Sequence, residues 1–345
     1  MPQMQFRHAL RAAMTEEMER DDNVFLMGEE VAQYNGAYKV SEGMLDKFGP
    51  RRIIDTPISE AAFSGLGVAA ATAGLRPIIE FMSWSFTLVC MDQIMNNAAN
   101  IRYMSGGQFK CPVVFRGGNG IAHQLAATHS HRMESVYSRV PGLIVVAPST
   151  PAEAKGLLKS SIRCDDPVIF LESEKMLAET GEVPDDADFT LPLGVANVER
   201  QGKDVTVVSY GRPLQRVVRS AVNALANDHG IDVELIDVRT LPARRGHHCR
   251  VGEEDQPLRH HRRGLGLLRH GLGDPVQAPE AVLRLPRRPH RIRPQRRNPG
   301  PVQPLPRRSN DAERGPDRDR GEGSLLQVIM QNDECRMQNG RMMAF

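Results

Sequence analysis

RIIDTPISEAAFSGLGVAAATAGLRPIIEFM, residues 52–82, contains a complete strand–helix–strand unit. RRIIDTPI (51–58) is an apolar run that reads as a strand. EAAFSGLGVAAATAG (60–74) is rich in small residues and reads as a helix, with Ser59 as its N-cap and Gly74 as its stop. Small side chains suit close packing on a sheet. RPIIEFM (76–82) then reads as a second strand.

The same rhythm runs outward in both directions. Strand-like runs occur at NVFLMGEEV (23–31), CPVVFRG (111–117), LIVVAPS (143–149) and DPVIFLE (166–172). Helical spacing appears over residues 1–21, in VCMDQIMNNAANIRYM (89–104) and in TPAEAKGLLKSSIR (150–163), where Thr-Pro is a start signal. Such alternation predicts an α/β fold with a mostly parallel sheet and helices on both faces. ETGEVPDDADFTLPLG (179–194) is polar, carries prolines and reads as a linker. A second α/β unit begins with a strand at 204–211, a helix at 212–230 and a strand at 231–238. The expected domains are therefore 1–180, a linker at 181–203, and the start of a second domain at 204–241. From Pro242 the periodicity collapses.

Composition narrows the class. The chain has 345 residues and a net charge of +2, which hides an asymmetry: the last lysine is Lys203, and beyond residue 242 Arg and Pro dominate. Five cysteines form no CxxC pair, which argues against a zinc site or a disulfide framework and fits a reducing compartment. No apolar run reaches 18 residues, so no membrane partner is expected. The N-terminus lacks the uninterrupted apolar core of a signal peptide, and a cytoplasmic location is the expectation.

GEEVAQYNGAYKVSEGM (28–44), the 52–82 stretch, DQIMNNAANIRYMSGG (92–107) and THSHRMESVYSRVPGL (128–143) together resemble one family. It is the beta subunit of the thiamine-diphosphate-dependent 2-oxo acid dehydrogenases, with a transketolase-like pyrimidine-binding domain. The resemblance is nearly continuous from about residue 4 to Leu241. It implies oxidative decarboxylation of a 2-oxo acid, pyruvate first, with acyl transfer to a lipoyl group. Branched-chain 2-oxo acids and acetoin are alternative substrates. It also implies that Glu60, ending DTPISE, is the acid that bonds N1′ of the cofactor's aminopyrimidine and drives its tautomerisation. Read without the resemblance, Glu60 is a first-turn acid favoured by the helix dipole.

Other assignments follow from the resemblance alone. Phe86 would lie beside the aminopyrimidine ring, and His129 would be an active-site histidine near the carboxylate or lipoyl substrate. Glu29 would lie near the cofactor. Val89 departs from a glutamine common at its position. Some members hold potassium through backbone carbonyls, at positions matching Val113, Ser161, Ile162, Cys164 and Asp166. The GDG…N motif that binds diphosphate and Mg²⁺ in this superfamily is absent from this chain. In the family it lies on a separate alpha subunit, so the implied partners are an alpha subunit in a heterotetramer and a dihydrolipoyl acyltransferase core.

Three possibilities meet in residues 242–345. An Arg-rich segment could neutralise nucleic-acid phosphates, but it has no Trp or Tyr for base stacking and only Phe345 as an aromatic. With few large apolar residues it could be a disordered linker. Or it is the family's C-terminal domain translated out of frame. Shifted by one base, permitted codons for VGEEDQPLRH (251–260) read SVKKTNRCVT. HRRGLGLLRHGLGD (261–274) can read IEEGWGYCGMGSEI, and Leu325–Ile329 can read CYK followed by a stop. The order of these matches resembles the family, so an expected frameshift lies just after Leu241. A chain with that tail would assemble poorly, no nucleic-acid partner is expected, and the tail itself would be largely disordered.

Overall fold

The computed structural model describes residues 1–241 and the backbone of a short strand, Val282–Arg284. The expectations for the rest of residues 242–345 lie outside the described residues.

Short strand β1 (Gln3–Gln5) leads into helix α1 (Phe6–Arg20). Then come β2 (Val24–Gly28), α2 (Met44–Phe48), β3 (Ile53–Asp55), α3 (Glu60–Thr72) and β4 (Arg76–Phe81). A 3₁₀ segment Trp84–Cys90 and a π segment Gln93–Ala98 precede α4 (Ile101–Met104). The chain continues through β5 (Val114–Gly118), α5 (Glu134–Tyr137), β6 (Ile144–Val146), α6 (Pro151–Arg163), β7 (Val168–Glu172) and β8 (Thr180–Glu182). β9 (Asn197–Arg200) and β10 (Val205–Ser209) follow. A helix runs from α7 (Gly211–Pro213) through a π stretch into α8 (Arg219–His229), before β11 (Val233–Asp237), β12 (Thr240–Leu241) and β13 (Val282–Arg284).

The main sheet has seven strands in the order β12-β6-β7-β5-β4-β2-β3, parallel except for β12 at one edge. Both faces are buried, as its near-continuous apolar strands require. Adjacent residues send their side chains to opposite cores: Ile78 and Phe170 pack with α1 and α6 on one face, Ile79 and Ile169 with α3 and the 3₁₀ segment on the other. A smaller sheet, β13-β10-β11-β9, carries a core built on Val207, Leu214, Val222 and Leu235. The stretch read as a linker at 181–203 thus supplies β9, paired antiparallel with β11.

Two local features differ from the sequence reading. Residues 84–104 do not form one α-helix. The Asn96 and Asn97 amides donate to Asp92, and Asn97 also donates to Gln93. Polar side chains bonding within the segment accompany the broken geometry. Ser59 occupies the N-cap position of α3 but does not cap it; its hydroxyl donates to the Pro57 carbonyl at 3.2 Å. Thr150, by contrast, caps α6 through the Glu153 N–H with Pro151 next to it.

Candidate functional site

The carboxyl ends of β2, β3, β4, β5 and β7 converge on one edge of the main sheet, the usual place for a ligand in parallel α/β folds. Glu29 follows β2 directly, and Glu60 is the first residue of α3, just after β3. Both are buried, and their charges interact. Burial first, then the Glu60 charge, pushes the Glu29 carboxyl up to about 7, against a hydrogen bond from the Ser59 backbone. Glu29 Oε1 is buried with no hydrogen-bond partner among the described residues. A buried orphan acceptor beside a second carboxylate is a cradle for a ligand that brings a donor.

Phe86 lies in the 3₁₀ segment after β4, half-buried. Its ring meets the His129 imidazole edge-on, with centroids 5.0 Å apart. His129 sits in the loop after β5, with its Nδ1 3.0 Å from Thr128 Oγ1. The structure therefore brings Glu29 and Glu60 together, and Phe86 together with His129. Val89 is exposed on the same 3₁₀ segment.

The five positions matching a potassium site are all buried. A cation already reaches two of their carbonyls: Arg76 Nη1 donates to Ile162 O at 3.0 Å and to Cys164 O at 3.1 Å. Val113 O accepts the Val168 N–H, and Ser161 O accepts the Cys164 N–H. Arg102 pairs with the Asp166 carboxylate. Among the described residues no group of three or more His, Cys, Asp or Glu side chains could hold a metal.

Sequence reasoning missed three residues that shape this edge. Asp55, ending β3, accepts the backbone N–H of Ala32 at 2.6 Å and of Gln33 at 2.9 Å, which pins the turn after Glu29. Arg116 in β5 is buried between Glu80 of β4 and Glu172 of β7. Burial raises the Glu80 carboxyl while the Arg116 charge opposes that shift. Glu174, just past β7, binds two loops at once. A charged residue inside an otherwise apolar strand run was the available signal for Arg116 and its partners.

The transketolase pyrimidine-binding domain family matches residues 2–179, and the transketolase C-terminal domain family matches residues 194–243. The pyruvate dehydrogenase E1 component subunit beta of Rickettsia felis is 52% identical over 239 residues, 69% of this chain and 72% of that protein. The chain belongs to the pyruvate dehydrogenase E1 beta-subunit family. Its Rhizobium meliloti relative is 53% identical over 241 residues, 70% of this chain but only 52% of that protein, so this chain spans about half its length. The mitochondrial E1 beta subunit of Rattus norvegicus is 49% identical over 242 residues, 69% of this chain and 67% of the relative. A split-gene transketolase solved as an inactive beta4 tetramer shares the fold, with a TM-score of 0.54 at 20% identity over 68% of this chain and 71% of that one. In this E1 beta-type chain, the acidic pair and the Phe86–His129 pair both fall inside the pyrimidine-binding match.

Around that edge the surface is apolar. Ile58, Leu66, Leu88 and Val89 near the site are exposed, as are Tyr103, Met104 and Phe109 after the π segment.

Proposed function

We propose that this chain is the beta half of a thiamine-diphosphate-dependent 2-oxo acid dehydrogenase, acting on pyruvate and passing the acyl group to a lipoyl arm. The observation that carries it is the buried Glu29–Glu60 pair, with its orphaned acceptor, at the carboxyl edge of the main sheet of a chain 52–53% identical to E1 beta subunits over 239–241 residues. The carboxyl pair suits an aminopyrimidine, whose amino group donates a hydrogen bond and whose N1′ accepts one from a protonated carboxyl. Thiamine diphosphate, when bound, supplies the carbon nucleophile that attacks the 2-oxo group.

The chain's own residues then have separate tasks. Glu60 holds the proton at N1′, and its burial lets that interaction act in a low-dielectric setting. Glu29, with its raised carboxyl, is neutral over part of the working pH range and holds a second proton beside the first. Phe86 provides an apolar wall that excludes water, and His129 offers a polar group toward the substrate carboxylate or lipoyl arm. In this reading an alpha subunit holds the diphosphate and Mg²⁺, and it docks on the exposed apolar residues around Ile58, Leu88 and Val89. A potassium ion held by the carbonyls of the Val113–Asp166 group would have to share those of Ile162 and Cys164 with Arg76.

The domain division belongs to the same proposal: a pyrimidine-binding domain over 1–180, a connection over 181–203, and the start of a C-terminal domain over 204–241. Residues 242–345 are the rest of that domain in the wrong frame. Support comes from the matches, which end at residue 243 for the domain family and span 239–242 residues for the relatives. The coding sequence tests it: a shift near codon 241 that restores the EEGW-containing segment is expected, and codons that forbid it would remove the proposal. The activity test is CO₂ release from pyruvate by the chain purified with an alpha subunit, dependent on added thiamine diphosphate and lost in Glu60→Gln.

A further inference from the structure

His129 is carried by the loop Asn119–Met133, and most of that loop has a visible means of support. At its base, the Gly120 N–H donates to the His131 carbonyl and the Met133 N–H to Asn119 Oδ1, both at 3.0 Å. On the return limb, His131 meets Ser85 Oγ through its N–H at 3.2 Å and its Nδ1 at 3.1 Å. The outgoing limb is different. Ile121 and His123–Ala126 are exposed, and only Ala122 is buried. Gln124 and Ala126 have φ of 62° and 66°, in the left-handed region where side chains are disfavoured. Strained backbone persists only where its surroundings hold it.

The Ala126 carbonyl accepts the Ser130 hydroxyl at 2.8 Å and the His129 N–H at 3.3 Å; the hold on the limb at His123 comes from Glu174. It is buried in the 3₁₀ turn that follows β7, so its carboxylate is fixed to the central sheet. Its Oε1 accepts the backbone N–H of His123 at 3.2 Å and lies 2.6 Å from His123 Nδ1. Its other oxygen accepts the Tyr38 hydroxyl at 2.9 Å. Tyr38 belongs to the segment that follows Glu29, and burial and Glu174 push its phenol upward, so it stays a donor. One carboxylate thus ties together the two loops that flank the site.

We propose that Glu174 is a positioning residue: through His123 it fixes the strained limb of the loop and thereby the aim of His129 at Phe86. The functional meaning rests on the proposed role of His129 in the E1 beta site. Among the described residues the Glu174 carboxylate bonds to Tyr38 and His123, and to neither the Phe86–His129 pair nor the Glu29–Glu60 pair.

The test is hydrogen exchange by mass spectrometry on the full chain, with no cofactor or alpha subunit, for His123→Ala, Glu174→Gln and the double variant. Exchange in peptides covering 121–130 rises roughly ten-fold in each single variant, while β4, β5 and β7 keep their protection and the melting temperature holds. The double variant rises no further than Glu174→Gln alone, because the ring contact that His123→Ala removes is one of the two that the Glu174 carboxylate makes to His123. Tyr38→Phe loosens residues 33–40 and leaves 121–130 unchanged. The imidazole Cε1–H resonance of His129, assigned by its loss in His129→Asn, shifts in both single variants. Unchanged exchange at 121–130, a general loss of protection, an additive double variant or a fixed His129 resonance would each overturn the proposal. These readouts need no catalysis. Failure of the E1 beta assignment would therefore show separately, as inactivity of the alpha-associated chain with the loop effect intact.

Discussion

Glu29 and Glu60 are both buried and their charges interact, so burial first and the Glu60 charge second make a charged Glu29 costly. Its carboxyl is raised from 4.5 to about 7, so between those values the folded chain keeps a proton that the unfolded chain has lost. Stability contributed by that proton is present below about pH 4.5, falls as pH rises through the window, and is gone above about pH 7. Glu29→Gln should therefore melt higher than the parent chain above pH 7, with the gap closing toward pH 4.5; melting curves at stepped pH check this, and parallel curves would contradict it. Glu60→Gln should lower decarboxylation by the alpha-associated chain by about 10²–10⁴-fold, the usual contribution of a positioned acid. Its melting temperature should stay close to the parent's. Glu60 was legible in the sequence because DTPISE is a family feature standing at a helix start. The Asp55 clamp on Ala32 and Gln33 was not, because a carboxylate at a strand end looks like ordinary punctuation.

The sheet edge depends on a charged trio inside its hydrophobic centre. Arg116 reaches both Glu80 and Glu172 across neighbouring strands, and all three side chains are almost fully buried. Removing one member of such a group strands the others without solvent or counter-charge. Arg116→Met should cost about 3–5 kcal/mol, the range for breaking a buried pair, read as a fall in the urea midpoint at pH 7. Replacing all three with apolar residues of similar volume should restore much of that loss. Strands and the long helices were legible because their apolar periods match their burial, as in β4, β5, β7 and α6. The 84–104 stretch was not: Asp92, Gln93, Asn96 and Asn97 bond to one another, and a period of apolar residues does not register such local competition. β9 was missed for a related reason, since Asn197–Arg200 is polar and short and becomes a strand only by pairing with β11.

At the scale of the whole molecule, two regions meet across a polar joint. Ser149 at the foot of α6 binds the carboxylates of Glu153 and Asp237, at 2.8 and 2.7 Å, while Arg239 pairs with Glu153 and Arg219 with Glu199. Burial and then the Glu153 charge raise the Asp237 carboxyl where β11 meets the main sheet. The strand–helix rhythm up to Leu241 was readable, and the described parallel strands of the two larger sheets follow it. The proposed frameshift would put the rest of the second unit one base out of step. The deciding measurement compares two chains, each purified with an alpha subunit: the chain as it stands, and the same chain with its frame restored after Leu241. Thiamine-diphosphate-dependent CO₂ release from pyruvate should appear in the restored chain, vanish with Glu60→Gln, and be at least roughly ten-fold weaker in the unrestored chain. No release in either chain, or release that survives Glu60→Gln, would contradict the assignment of this site to a 2-oxo acid dehydrogenase.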